Sequence, residues 1–179
     1  MENMRVEAME RRTTPGWMVG ALGVAVAVMA AILLAGCGSG KMVVGQRIAQ
    51  EDITEFYWTY ANINFDARYQ RYRFFLENGV PHFFHDTRER PNGYGWLTEE
   101  DTAAMGSREL TPEEWGQFFV LVAGGTVEKR TDSAESGDSG PWYYLYWKGD
   151  RDVYQVFTFA SGESEAAFEE FGRILAKTC

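Results

Sequence analysis

RYQRYRFFLENGVPHFFHDT, residues 68–87, decides the fold. At its centre Asn78-Gly79 is the pair that a two-residue type I′ turn prefers, because both positions need a positive φ. The flanks are rich in aromatic and β-branched residues, so 68–76 and 80–87 read as two antiparallel strands. A turn of that length fixes the register and sets Arg71 directly opposite Asp86. Side chains alternate along a strand. One face of the hairpin then carries Tyr72, Phe74, Leu76 and Phe83, the better core face. The other carries Tyr69, Arg71, Arg73, Phe84 and Asp86, with Arg71–Asp86 an exposed cross-strand pair worth about 0.2–1 kcal/mol.

Working outward, residues 53–60 (ITEFYWTY) read as a strand ahead of the hairpin. Residues 142–147 and 153–159 read as a second hairpin around Lys148-Gly149-Asp150-Arg151-Asp152. If Trp147 pairs with Val153, then Tyr143, Leu145, Trp147, Val153, Phe157 and Phe159 point inward, and Trp142, Tyr144, Tyr146, Tyr154 and Thr158 point out. Residues 88–95 read as a loop, 98–105 as a short helix, and 131–140 (TDSAESGDSG) as a polar loop.

Two longer helices are expected. Thr111-Pro112-Glu113-Glu114 supplies an N-cap, a proline at the first helical position and a capping-box glutamate. Trp115, Phe118, Phe119 and Val122 come next on one side, and Gly124-Gly125 ends the helix. The second spans 163–177, with Phe168, Phe171, Ile174 and Leu175 at helical spacing, an acidic first turn and Lys177 near its end. The expected fold class is α+β: a largely antiparallel sheet of about five strands with both helices on one face.

The N-terminal part is different in kind. Residues 17–35 (WMVGALGVAVAVMAAILLA) carry no charge, come after Arg11-Arg12, and are long enough to cross a bilayer. The acidic residues Glu2, Glu7 and Glu10 are unusual at the front of an export signal, and translation from Met9 would remove most of them. At the end of the apolar run stands Leu34-Ala35-Gly36-Cys37. These four residues resemble the lipobox of bacterial lipoproteins. The resemblance implies a diacylglycerol on the Cys37 thiol and cleavage between Gly36 and Cys37, and hence a lipid anchor on the outer, extracytoplasmic side of the cell membrane. Two or three acyl chains make such an anchor stable. The alternative is an uncleaved single-span helix. On the lipoprotein reading residues 1–36 are a signal peptide, 37–50 the lipidated Cys and a flexible tether, and 51–179 a single domain. That domain loosely resembles the small sheet-and-helix domains of uncharacterised bacterial lipoproteins, which brings no activity with it.

Residues 1–36 contain as many acidic as basic side chains, so the whole formal charge of −9 belongs to residues 37–179. An acidic domain is repelled by nucleic acid and by anionic headgroups, and neither is expected as a main partner. With Cys37 acylated, Cys179 is the remaining thiol, and no intramolecular disulfide supports the fold.

The chemical motifs are sparse. Gly137-Asp138-Ser139-Gly140-Pro141 is similar to the nucleophile segment of trypsin-like proteases but lacks a glycine, and the chain is too short for two barrels. His82 and His85 are three apart on a strand and point to opposite sides, so they do not share a metal. Asp132, Glu135 and Asp138 fail the calcium-loop pattern, where Ala134 and Tyr143 would stand at ligand positions. Glu99-Glu100-Asp101, Glu113-Glu114 and Glu169-Glu170 fit helix first turns and exposed faces. No cofactor is expected. The outward residues Tyr69, Arg71, Arg73, Phe84, Trp142, Tyr144, Tyr146 and Tyr154 are of the types enriched in binding hot spots, and they form the candidate ligand face. The expected role is a membrane-tethered, non-enzymatic binding or accessory module for a protein or a glycan. A small cell-envelope hydrolase and an inhibitor- or immunity-type protein are the alternatives.

Overall fold

The computed structural model describes residues 41–130, 139–149, 151 and 153–179. The expected signal segment, the lipobox with Gly36 and Cys37, and the loop residues 131–138 with the calcium-loop motif lie outside them.

The chain runs β1 (Met42–Val43), β2 (Ile53–Asn62), β3 (Ala67–Glu77), β4 (Val80–Arg90), β5 (Thr102–Glu109), α1 (Pro112–Val122), β6 (Thr126–Lys129), β7 (Ser139–Trp147), β8 (Gln155–Thr158) and α2 (Gly162–Ala176). A five-stranded sheet has the order β5-β4-β3-β2-β7 and a three-stranded sheet the order β1-β6-β8. Every ladder is antiparallel. The α+β class holds.

Asn78 (φ 53°) and Gly79 (φ 82°) make the expected turn, and Arg71 lies opposite Asp86. Thr111 caps α1: its hydroxyl accepts from Glu114 N, while the Glu114 carboxylate accepts from Thr111 N at 2.9 Å. Arg108 grips the same carboxylate and holds it below the usual range. Both helices and the second sheet pack on the Phe56–Phe74 side of the large sheet. Phe118 of α1 stacks on Phe74 (centroids 4.5 Å apart), while Phe168 of α2 and Phe157 of β8 lie edge-on to Phe56 at 5.1 and 5.2 Å. These five rings are buried to within 1% of their surface and form the centre of the core.

Three expectations need correction. The expected tether is folded from Met42 on: β1 pairs with β6, Val44 N donates to the Gly125 carbonyl at 3.0 Å, and Val44 and Ile48 are 1% and 0% exposed. Apolar residues in this short segment fill a gap beside α1 that periodicity alone does not reveal. The helix expected over 98–105 is a single 3₁₀ turn, Glu99–Asp101, followed by β5. That strand is mostly exposed on both faces, so it lacks the alternation that marks a strand in sequence. Finally, the second hairpin does not form as a ladder. Leu145 of β7 pairs with Phe56 of β2, and Phe157 of β8 pairs with Val127 of β6. Alternation fixes which face a residue takes, not which strand it meets. Leu145, Phe157 and Phe159 are therefore buried as expected, although their strands sit in different sheets. Gln155, fully buried, bridges the two strands when its amide nitrogen faces the Leu145 carbonyl and its oxygen the Trp147 indole.

Among the described residues no helix is long and apolar enough to cross a membrane.

Candidate binding surfaces on the two faces of the sheet

The register sorts the large sheet into transverse rows. On the outer face, away from the helices, one row runs Tyr144–Tyr57–Arg73–Phe84 and the next Trp142–Thr59–Arg71–Asp86. Tyr69 and Tyr146 stand in flanking rows of the same face, beside Ala61 and Glu55. All the expected face residues except Tyr154 thus share one surface. Tyr154 precedes β8 and sets its ring 4.8 Å from that of Tyr144 at the β7 margin. These rings and guanidinia lean on one another: Arg71 lies over Tyr57 and Tyr69 (5.6 and 5.5 Å), and Arg73 over Phe75 (4.0 Å).

The charges pair differently from the expectation. Asp86 is only 5% exposed and binds Arg88, with Arg88 Nη2 donating to Oδ2 at 2.7 Å. Arg88 is two residues along the same strand, hence on the same face, and meets the carboxylate with both Nε and Nη2. Arg71, although directly opposite Asp86, donates to Thr59 Oγ1 at 3.4 Å and lies on its tyrosines. Glu55 belongs to no motif in the sequence, yet it anchors the other corner. This buried carboxylate accepts from the Tyr57 hydroxyl at 2.7 Å and from Arg73 Nε at 2.5 Å, with Arg151 at 3.5 Å. Its signal is an acidic residue alternating outward in an otherwise aromatic strand. Asp86 and Glu55 thus stand among Arg71, Arg73, Arg88 and Arg151 in the middle of the face, and Glu77 and Glu109 join it beside His82.

The inner face is graded along its strands. Phe56, Phe74 and Phe83 form one row, and Trp58, Tyr72 and His85 the next. Tyr60, Gln70 and Thr87 come after them, then Asn62, Arg68 and Glu89. Strands of ten and eleven residues run beyond the helices, so the polar end of this gradient lies open beside α2 as a cleft of about 820 Å³. Gly172 brings α2 against the Tyr72 ring, and Trp58 stacks on Tyr72 at 5.0 Å. Thr87 Oγ1 donates to Gln70 Oε1 at 2.8 Å. His85 Nδ1 is buried without a hydrogen-bond partner. Burial lowers the His85 pKa, with adjacent Asp86 opposing, so the imidazole is neutral at neutral pH. On the α2 wall, burial and then Glu165 raise the Glu169 carboxyl above its usual range. Sequence reading missed this cleft; the step from Phe to Tyr, Trp and His and then to amide and hydroxyl, repeated on three strands, is its signal.

Compared with known protein families, curated proteins and solved structures, the chain finds no match.

The histidines take opposite faces, as their strand positions require. His82 lies on the outer side with Phe75, and His85 on the inner side with Phe83. Among the described residues no three His, Cys, Asp or Glu side chains converge as metal ligands. The two surfaces differ in kind: a broad plane of aromatic rings and arginines on one side, a graded polar cleft on the other.

Proposed function

We propose that this chain is a lipid-anchored, non-enzymatic binding module on the outer side of the cell membrane, and that the outer face of its large sheet docks a partner protein. One observation carries the reading: Tyr144, Tyr57, Arg73 and Phe84, with Trp142 and Arg71 in the next row, lie on a single sheet face whose opposite side takes the helices and the second sheet. Tyr, Trp and Arg are the side chains that carry binding energy at protein interfaces, because each buries a large surface at low entropic cost and keeps a polar tip. The arginines lie against aromatic rings and so are partly ordered before any partner arrives, which lowers the cost of docking. The lipobox resemblance at Leu34-Ala35-Gly36-Cys37 supports the anchor.

The hydrolase alternative has one observation in its favour, the presence of Asp66, Glu169 and Glu170 around the same cleft. Two of the three are engaged, Asp66 by Asn92 N at 2.7 Å and Glu170 by Arg173 Nε at 2.8 Å. Burial holds the Glu169 carboxyl above its usual range, and acid–base hydrolysis needs a second positioned carboxylate. Binding is the better reading.

A photo-reactive residue at position 144, irradiated in native membranes, tests the docking face. The expected result is one discrete cross-linked protein that disappears with Arg71→Glu and is absent when the probe stands at Val120, which is 66% exposed on α1. Equal labelling from positions 120 and 144, or none from 144, overturns the proposal.

A further inference from the structure

We propose that the cleft beside α2 is a second binding site, and that it takes a neutral, polyhydroxylated ring ligand, a short oligosaccharide. The cleft and the docking face lie on opposite sides of the sheet, so neither depends on the other.

The floor of the cleft is unusual in composition. A core face of a two-layer domain is ordinarily apolar along its whole length. Here three adjacent strands change character together at the same two rows. Trp58, Tyr72 and His85 replace phenylalanines, and Tyr60, Gln70 and Thr87 lie beyond them. All six line the cleft. Their hydrogen-bonding capacity is not used up within the protein. The Gln70 amide nitrogen has only long contacts, 3.4 Å, to the carbonyls of Arg71 and Asp86, and His85 Nδ1 has no partner. A buried polar atom without a partner costs about 1–3 kcal/mol, which a ligand or an ordered water recovers when it reaches the site.

The same floor excludes other classes. It carries no net charge, because His85 is neutral and its neighbours are an amide, hydroxyls and rings. Around it Arg68, Arg173 and Lys177 are matched by Asp66, Glu169 and Glu170, with Arg173 tied to Glu170 and Arg68 3.6 Å from Glu89. A phosphate or a free carboxylate therefore meets as many carboxylates as cations there. An acyl chain finds Gln70 and Thr87 where it needs apolar wall, and would strip water from them without replacing it. A sugar ring satisfies both halves of the surface. Its C–H face lies on an aromatic ring, for which half-buried Tyr60 is placed, and its hydroxyls both donate and accept toward amide, hydroxyl and imidazole. The volume lies in the range of small-ligand sites and exceeds that of one hexose.

Titration followed by heteronuclear NMR and tryptophan fluorescence tests this, with maltotriose and triacetylchitotriose as neutral probes and inorganic phosphate and laurate as charged and apolar ones. The expected result is saturable binding of a neutral trisaccharide with Kd of about 1 mM or tighter, with shifts on Trp58, Gln70 and His85. Ala166 is exposed on the α2 wall, so Ala166→Trp plugs the cleft without entering the core and should weaken binding at least about tenfold. Val120→Trp, on α1, should leave it unchanged. No response to either trisaccharide at about 10 mM, unchanged affinity in Ala166→Trp, or shifts in the cleft from phosphate or laurate alone would each overturn the proposal. Cleavage of a trisaccharide during the titration would support this site and overturn the non-enzymatic function. A failed cross-link from position 144 would leave this result untouched.

Discussion

Gly172 shows how much a single side chain decides. It is buried in the middle of α2, where glycine costs about 1 kcal/mol relative to alanine, and propensity alone favours replacing it. A Cβ at this position would stand 2.5 Å from Cδ2 of Tyr72, whose ring is already stacked against Trp58. The ring cannot yield without disturbing that stack, so overpacking outweighs propensity. Gly172→Ala is expected to destabilise the protein by about 1–3 kcal/mol in urea denaturation. Tyr72→Leu in the same chain should remove most of that penalty, because the obstacle is the ring itself; equal effects of Gly172→Ala in both backgrounds would rule this account out. Asp86 teaches the complementary lesson. Register sets it against Arg71, yet Arg88 reaches it with two nitrogens from its own strand. Side-chain reach and ring surface outrank backbone opposition once several arginines compete.

Elements differ in how openly they declare themselves. α1 carries its cap, its proline and its apolar side in one run, and each signal acts within a turn of the residue that sends it. β1 has two residues and pairs with β6, which lies far along the chain, so its partner leaves no local trace. Its importance is visible in burial, since the segment just after it delivers Val44 and Ile48 to the core. Ile48→Ala is therefore expected to cost about 2–5 kcal/mol, read from the urea midpoint at unchanged slope. A residue in a flexible tether would cost nothing, so a null effect would restore the tether. β5 is similar: its pairing with β4 satisfies backbone groups while its side chains stay largely exposed, and Arg108 ties its end to Glu114 of α1.

At the scale of the molecule the large sheet separates two surfaces of opposite design. The outer plane is aromatic and rich in arginine; the inner end is polar and concave. The chain around them is acidic, which disfavours adsorption on anionic headgroups, so the proposed membrane attachment rests on the lipid proposed at Cys37. The corresponding prediction is a mass. Protein extracted from native membranes should lack residues 1–36 and carry a diacylglycerol on Cys37, and Cys37→Ala should keep its full length without acyl addition. A full-length, unacylated wild-type mass would identify the apolar segment as an uncleaved span instead.

By itself the sequence determined what short-range physics controls. Asn78-Gly79 dictated a turn and hence the β3–β4 register, period-two alternation assigned faces even where the partner strand differs from the expected one, and Thr111 to Glu114 set the start of α1. The candidate face was legible for the same reason: strand periodicity needs no knowledge of neighbours. Tertiary structure alone decided that β7 joins β2 while β8 crosses to β6, that β1 and β5 exist as strands, and that Arg88 rather than Arg71 holds Asp86. It also decided that α2 covers only part of the inner face and leaves the cleft open along its side. Those outcomes depend on which backbone edges remain unpaired and how layers of unequal length overlap, and residues far apart in the chain fix them jointly.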